Sequence, residues 1–145
     1  GAAYVFVNNG SWMEQAIIKP DPVRAFEQFG MSVAIGSISG DIVVVGADRE
    51  DGAATGVGGD PQLNTSSDSG AAYVFTREAE LWTQHAYLKS SNTGFSDRFG
   101  SAMAMSGDGQ TLAIGAVGED SAAIGIGGDQ GDGVSSSNSG AVYLY

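Results

Sequence analysis

Apolar residues in this chain occur in short runs that are separated by stretches rich in Gly, Asn, Asp and Ser. The runs are enriched in Val, Ile, Ala and aromatic residues, which is typical of β-strands joined by turns. Because helical periodicity is absent, we predict an all-β fold. The nine strands are expected at residues 1–7, 12–19, 30–35, 41–47, 70–76, 82–89, 100–105, 111–116 and 140–145.

The strand pattern repeats with a period of about 70 residues. The segment GAAYVF at 1–6 returns unchanged at 70–75 and as GAVYLY at 140–145. Several other landmarks keep the same step, namely Trp12 and Trp82, Phe29-Gly30 and Phe99-Gly100, and Gly46-Ala47 and Gly115-Ala116. A fixed period indicates a repeat protein in which each repeat is one structural unit. Two repeat lengths and one further strand favour an excerpt from a longer array.

The composition of each strand predicts its place in a sheet. The runs 42–45 and 72–75 are apolar at successive positions, so both of their faces should be buried. Small residues in the strands 30–35 and 100–105 suit a crowded centre where sheets converge. The strands 12–19 and 82–89 are more polar, as outer edges are.

Four-stranded antiparallel sheets stacked face to face around an axis satisfy all these observations. We therefore predict β-propeller blades, about two blades plus one extra strand, that form one segment over residues 1–145. The blade parts are 1–19 with the third and fourth strands, 29–89 as a full blade, and 99–145 with the first three strands.

The segment 99–116, followed by SGAVYLY at 139–145, resembles the FG-GAP repeat, the blade of integrin α-subunit propellers and of many bacterial surface proteins. The first repeat agrees through Phe29-Gly30, VVVGA at 43–47 and GAAYVF at 70–75. This resemblance implies a propeller, typically of seven blades, that is secreted or on a cell surface and usually not catalytic. Many members bind calcium between the first and second strands, but the turns 36–41 and 106–111 each hold one carboxylate, so plain glycine turns are favoured there.

Acidic residues outnumber basic residues 17 to 6, which gives a formal charge of −11. Such a chain should repel nucleic acid and anionic membranes, and no apolar run is long enough for membrane insertion. Most of the charge lies in two insertions between second and third strands, residues 48–69 and 117–139, which carry −4 each. The second insertion owes its charge to Glu119, Asp120, Asp129 and Asp132.

The two insertions share a skeleton, with Glu-Asp at 50–51 and 119–120 and Gly-x-Gly-Gly-Asp at 56–60 and 125–129. Loops of this length are usually functional or disordered, and the shared skeleton favours a function. One hypothesis is a calcium cage, since Ca²⁺ prefers several carboxylate and carbonyl oxygens. Its candidate ligands are Asp48, Glu50, Asp51, Asp60, Glu119, Asp120 and Asp129. The alternative is that the acids are solvated and that Asp68 or Asn138 caps the return turn.

Other chemistry-bearing residues have simpler interpretations. His85, the only histidine, lies in an outer-strand pattern and is expected on the surface rather than in a catalytic relay. Trp12 and Trp82 are expected to pack between blades, although either could stack on a sugar. Asn9-Gly10 predicts a two-residue hairpin turn, and the matching turn at 77–80 is expected to be longer.

These observations favour a non-enzymatic extracellular or cell-surface interaction and scaffold module for cell adhesion, with calcium as its candidate ion. Its ligand would be a protein or a glycan, and a lectin with glycan pockets between blades is the alternative. A hydrolase is disfavoured because the carboxylate pairs lie on long loops rather than on rigid elements. Exposed strand edges at both ends predict self-association or membership of a larger propeller.

Overall fold

The computed structural model describes residues 1–131 and 137–145, whose regular secondary structure is entirely β-strand. Nine strands form within these residues, each within two residues of its predicted bounds. They are β1 (Ala3–Asn8), β2 (Trp12–Ile18), β3 (Ser32–Gly36), β4 (Ile42–Ala47), β5 (Ala71–Glu78), β6 (Leu81–Leu88), β7 (Phe99–Met105), β8 (Leu112–Ala116) and β9 (Ala141–Leu144). In this described part of the chain, no helix has the length and apolar character needed to cross a membrane.

The strands form three antiparallel sheets in chain order. The first sheet is the hairpin β1-β2, the middle sheet is β3-β4-β5-β6, and the last sheet is β7-β8-β9. Every strand therefore pairs with its neighbour in sequence, as in a meander. The prediction of propeller-like blades with four antiparallel strands is confirmed by this all-β arrangement.

Both faces of the middle sheet are buried, as the uninterrupted apolar runs predict. One face packs on the first sheet through a core that includes Val43, Val45, Ala47, Ala71, Tyr73, Phe75 and Tyr87, with Ala3 and Val5 against it. The other face packs on the last sheet through Val44, Ala72, Leu88, Phe99, Leu112, Ile114, Ala116 and Tyr143. Each large apolar side chain buried in this way stabilises the fold by about 1.5–3 kcal/mol.

The predicted crowding of the first strands is found where β4 meets β7. A Cβ atom on Gly46 would lie only 2.2 Å from the backbone oxygen of Gly100. Ser32 of β3 donates a hydrogen bond to the same Gly100 oxygen at 2.5 Å. Only glycine at position 46 lets the two sheets approach this closely, so the glycine content here has a packing role.

The two hairpin turns differ from the predicted turns. Asn8 pairs with Trp12, which leaves three connecting residues rather than two. In the middle sheet Glu78 pairs with Leu81, so Ala79 and Glu80 form a two-residue turn with positive φ angles of 48° and 77°. The predicted order of turn lengths was therefore wrong. Four residues separate Arg77 from its partner Trp82, against three between the equivalent pair Asn8 and Trp12, and the extra residue lets Glu78 pair with Leu81. The Arg77 guanidinium lies 5.3 Å from the ring centre of Trp82.

Candidate functional site

Each acidic loop is closed at its base by one serine. The hydroxyl of Ser69 donates to the backbone oxygens of Glu50 at 3.1 Å and Gly52 at 2.8 Å. One repeat later, Ser139 donates to the oxygens of Glu119 at 3.2 Å and Ser121 at 2.8 Å. The shared sequence skeleton therefore builds the same closure twice. It holds the two ends of each loop together beside the sheet.

The second acid of each Glu-Asp pair fixes the return turn of its own loop. Oδ1 of Asp51 accepts a hydrogen bond from the backbone NH of Asp68 at 2.8 Å. Oδ1 of Asp120 accepts one from the NH of Asn138 at 2.6 Å. Asp68 and Asn138 both have positive φ angles, 52° and 55°. Asp and Asn tolerate this conformation better than most residues, so these acids stabilise a matched pair of turns.

Glu50 is fully buried and forms an ion pair with Lys89, which is also fully buried. The Lys89 ammonium lies 2.8 Å from Oε2 of Glu50 and 2.7 Å from the Ser69 hydroxyl. Burial lowers the pKa of Lys89, and the Glu50 carboxylate opposes that shift. The pair joins the end of β6 to the base of the first loop. Removing either partner would deprive the other buried charge of its closest counter-ion, which is costly in the protein interior.

A second cation reaches the same carboxylate from the segment between β2 and β3. One terminal nitrogen of Arg24 lies 4.0 Å from Oε1 of Glu50 and 3.6 Å from Oε1 of Glu27. Arg24 also donates to the backbone oxygen of Pro61, at the far end of the first loop, at 2.7 Å. Burial, together with the charge of Glu50, raises the pKa of Glu27. The first loop is thus bound to two separate elements through buried charge.

Burial also raises the pKa of Tyr73 and of Tyr87, whose hydroxyl groups face this cluster. Both rings pack together with their centres 5.3 Å apart. A Cβ atom on Gly52 would lie 2.3 Å from the Tyr87 hydroxyl and 2.6 Å from Oε1 of Glu50. Because Gly52 has no side chain, it leaves room for the Tyr87 hydroxyl beside the Glu50 carboxylate.

Glu119 occupies the position of Glu50 in the second loop but has different partners. Its Oε1 accepts from the side-chain amide of Asn92 at 2.8 Å, and its Oε2 accepts from the Ser121 hydroxyl at 2.9 Å. The amide oxygen of Asn92 in turn accepts from the Tyr143 hydroxyl. Both lysines of the sequence are engaged elsewhere, Lys89 with Glu50 and Lys19 with the backbone oxygen of Gly1. Asn92 approaches Glu119 from the segment between β6 and β7, as Arg24 approaches Glu50 from the segment between β2 and β3.

The centre of the first loop extends the middle sheet. The NH of Gly58 donates to the oxygen of Tyr87 at 2.9 Å, and Lys89 NH donates to the oxygen of Gly56 at 2.9 Å. Val57 between them forms a bridge with Leu88. β6 is therefore held along one edge by β5 and at its end along the other edge by the loop. The loop is structured where sequence length alone allowed disorder.

The remaining candidate ligands lie apart from these pairs. Asp60 and Asp129 bind the backbone NH groups of Gln62 and Gly131, two residues further along. Asp48 is buried. Asp132 lies outside the described residues. Over residues 1–131 and 137–145, no group of three or more His, Cys, Asp or Glu side chains is arranged to hold a metal ion. The structure therefore does not gather the seven candidate ligands into one cage, and calcium binding remains a prediction.

The lone acids of the two short turns bind protein groups as well. Asp41 accepts from Arg77 Nε at 2.7 Å and also from the Ser39 hydroxyl, and these two hydrogen bonds lower its pKa. Asp108 accepts from the Ser106 hydroxyl at 2.6 Å, and its pKa is lowered mainly by that bond. Each acid thus stabilises the geometry of its own turn.

The other chemistry-bearing residues lie on outer strands. His85 is exposed on β6, and Trp12 is exposed on β2. Trp82 packs against the core between the first and middle sheets, and its ring nitrogen donates to Gln15 at 3.0 Å. The prediction of packing between sheets agrees with the placement of Trp82, whereas it is wrong for Trp12, which is exposed in this structure.

Sequence reasoning missed Lys89, Ser69, Arg24 and Glu27 as parts of the site. A signal was present for two of them, because Lys19 and Lys89 recur at the repeat step, as do Ser69 and Ser139. A charged residue that returns at the end of the same strand in each repeat indicates a structural role for the charge. Arg24 had no such signal, since the equivalent position one repeat later is Gly94.

Two stretches of the chain match the family model of the FG-GAP repeat, residues 12–75 and 82–145. Together they cover most of the chain and have equal length. Both matches start at a tryptophan at the beginning of a fourth strand, Trp12 or Trp82, and end in or directly after a third strand, so each contains one acidic loop. No curated protein matches the chain significantly.

Proposed function

This chain belongs to the FG-GAP repeat family, and on that premise we propose that it is a non-enzymatic interaction module. Stacked blade-like sheets form its frame, and the acidic loops 48–69 and 117–139 present the recognition surface. The partner we favour is a protein with a basic surface, because the two loops carry most of the net charge of the chain.

The observation that carries this proposal is the repeated closure of the loops by Ser69 and Ser139. A loop that is fixed in advance loses little conformational entropy when it binds. The buried Glu50–Lys89 pair adds a second anchor to the first loop. Rigid display therefore supports recognition by shape and charge.

Membership of the family also supports an extracellular or cell-surface location, since FG-GAP repeats are typical of such proteins. The same membership supports a role without catalysis. The contacts agree with that role, because the loop glutamates bind lysine, amide and hydroxyl partners inside the protein.

An array of extracellular proteins probed with the labelled chain would test the proposal. We expect binding to basic proteins that weakens with salt and weakens further in the Asp60→Asn/Asp129→Asn variant. Both acids lie on the loops and cap only local turns, so the fold should persist. Glu14→Gln on β2 is the matched control. An affinity that is unchanged by salt and by the loop substitutions would contradict the proposal.

Glycan binding is the second candidate, favoured by one cleft. A cavity of about 580 Å³ lies between β2 and β6 and is lined by Trp82, Gln84 and Asp21 among others. Its tryptophan and polar groups are the kinds of residue that bind sugars. A glycan array would reveal it, and Trp82→Phe should then abolish the signal. Retention of glycan binding in that variant would exclude this cleft.

We further propose that the chain self-associates through its two outer faces. Tyr4 and Phe6 are exposed on β1, yet they occupy the repeat positions of Tyr73 and Phe75, which are buried between sheets. On the opposite side, Val142 and Leu144 of β9 are exposed. The two faces are different and complementary, so the contact would be head-to-tail.

Light scattering at micromolar concentration tests this association. Phe6→Glu should yield monomers, whereas Phe26→Glu, at an exposed site outside the strands, should leave the association unchanged. A monomeric wild-type chain would contradict the proposal.

Calcium binding by the loop acids is tested by thermal unfolding with calcium and then with chelator. A site that binds only the folded state must raise the midpoint. An unchanged midpoint at millimolar calcium would contradict it.

A further inference from the structure

The turn between β1 and β2 contains an asparagine in a reactive sequence context. Of all the asparagines in the chain, only Asn9 is followed by glycine. Residues 9–11 connect Asn8 to its partner Trp12, and all of them are exposed. This turn lies outside the acidic loops, so the proposed recognition surface does not use it.

The backbone nitrogen of Gly10 is well placed to react with the side chain before it. Gly10 has a φ angle of 99°, and a Cβ atom built on it would meet nothing within 4 Å. Because glycine has no side chain, nothing on residue 10 hinders a ring that joins its nitrogen to the Asn9 side chain. A cavity of about 790 Å³ beside the turn is lined in part by Asn8 and Asn9, so water reaches the amide.

We propose that Asn9 is a site of spontaneous deamidation, in which water converts its side-chain amide to a carboxylate. The Gly10 nitrogen loses its proton to hydroxide and forms a bond with Cγ of Asn9. The Cγ–Nδ2 bond then breaks, and the departing amide takes a proton from water and leaves as ammonia. Water opens the resulting succinimide ring. Breaking the new bond to Cγ gives aspartate, and breaking the original peptide bond between residues 9 and 10 gives isoaspartate.

Asn8 controls how readily the Gly10 nitrogen reacts. Its Oδ1 accepts a hydrogen bond from the Gly10 NH at 3.0 Å. The nitrogen must give up this hydrogen bond together with its proton before it can attack Asn9. The folded turn therefore slows the reaction that its sequence favours, and loss of the Asn8 acceptor should speed it.

The modification changes both the charge and the covalent path of this hairpin. Either product adds a carboxylate to a cavity whose lining already includes Glu14, Asp41 and Glu80. Isoaspartate also leads the main chain through the side chain, which lengthens a turn whose two ends are held by the pairing of Asn8 with Trp12. The modified hairpin should therefore be less tightly paired, with faster amide hydrogen exchange at the end of β1.

Mass spectrometry of the folded chain, digested after incubation at mildly alkaline pH, tests the proposal. We expect Asn9 to gain the mass of an amide-to-acid exchange well before Asn64, which is also exposed on a loop but is followed by threonine. Isoaspartate in the same peptide is detected with a protein isoaspartyl methyltransferase. The mass gain distinguishes this reaction from isomerisation of an Asp-Gly pair, which leaves the mass unchanged. Asn9→Gln should abolish the change, because its longer side chain would have to close a larger ring.

Two further variants test the role of Asn8. Asn8→Ala should deamidate about two- to tenfold faster than wild type when folded, as the usual net strength of one hydrogen bond implies, and at nearly the wild-type rate in urea. Asn8→Asp keeps an acceptor for the Gly10 NH and should stay slow. Circular dichroism confirms that each variant is folded. Three outcomes would overturn the proposal: modification of Asn9 no faster than of Asn64, equal rates of folded wild type and Asn8→Ala, or the same acceleration of Asn8→Ala in urea.

Discussion

The middle sheet and the last sheet carry nearly the same sequence pattern but differ in what surrounds them. The middle sheet is packed on both faces, has four strands, and binds its loop through Glu50 and Lys89. The last sheet has three strands, an exposed outer face, and a Glu119 that binds Asn92 and Ser121. The serine closures and the positive φ angles of the loop glycines nonetheless recur in both.

This comparison separates two kinds of structural information. The base of each loop depends on residues within the loop and the following turn, so it forms in both sheets. The buried charge pair depends on Lys89, which follows the fourth strand of the middle sheet, so it requires a contact between distant parts of the chain. The predictions below test this separation, from the largest expected effect to the smallest.

Lys89→Met should produce the largest effect. It leaves the Glu50 carboxylate buried beside a methionine, which should lower the free energy of unfolding by about 3–5 kcal/mol. Urea denaturation measures the change. Lys19→Met is the matched control, because the equivalent lysine is exposed, and it should change stability by less than about 0.5 kcal/mol. Equal effects of the two substitutions would contradict the difference in environment.

Gly46→Ala tests the enclosure of the middle sheet. Its Cβ would lie 2.2 Å from the Gly100 oxygen, and the forced shift should cost about 1–3 kcal/mol of unfolding free energy. Gly115 is the equivalent glycine of the last sheet, where the nearest atom would be 3.7 Å away. Gly115→Ala should therefore be nearly neutral in the same denaturation experiment. A neutral Gly46→Ala would show that the sheets can separate without cost.

Ser69→Ala and Ser139→Ala compare the two loop closures directly. Both lose the bonds to two backbone oxygens, but Ser69→Ala also removes the acceptor of the Lys89 ammonium. We expect losses of unfolding free energy of about 1–3 kcal/mol for Ser69→Ala and about 0.5–1.5 kcal/mol for Ser139→Ala. The difference should vanish in a Lys89→Met background. If the two serine variants still differ in the Lys89→Met background, the Lys89 contact does not cause the difference.

Glu27→Gln gives the smallest and most pH-dependent effect. The pKa of Glu27 is raised above its ordinary 4.5, so its contribution to stability is complete below that pH and is lost as the pH rises through the folded-state pKa. Wild type should therefore lose stability relative to Glu27→Gln as the pH rises above about 4.5. Thermal unfolding at several pH values measures this trend. Glu14→Gln, at an exposed site, should show no such trend.

The repeat, the strands and the burial of both faces of β4 and β5 could all be predicted from the sequence. They follow from local patterns, since apolar runs between turn residues form strands and unbroken apolar runs bury both faces. The acidic loops were also located correctly. The role of their acids was not predicted. The identity of an acidic residue in the sequence does not reveal whether its carboxylate contacts a metal ion, water or a lysine from a distant part of the chain.

Turn geometry shows the same limit at short range. Asn9-Gly10 has the composition of a tight hairpin turn, yet the tighter turn is Ala79-Glu80. The second hairpin has four residues between Arg77 and Trp82 where the first has three between Asn8 and Trp12, and this extra residue allows the further pair Glu78–Leu81. Local residue preferences indicate where a turn can form, and the pairing of the two strands determines its length.

By itself the sequence determined the fold class, the period and the positions of charge, because each depends on residues that are near one another in the chain. Only the tertiary structure decided that Glu50 is an interior ion-pair partner of Lys89 and that Glu119 accepts hydrogen bonds from Asn92 and Ser121. The two glutamates stand in matching sequence contexts. Lys89 lies 39 residues beyond Glu50, and a contact between residues so far apart in the chain depends on how the strands pack, which no local sequence pattern encodes.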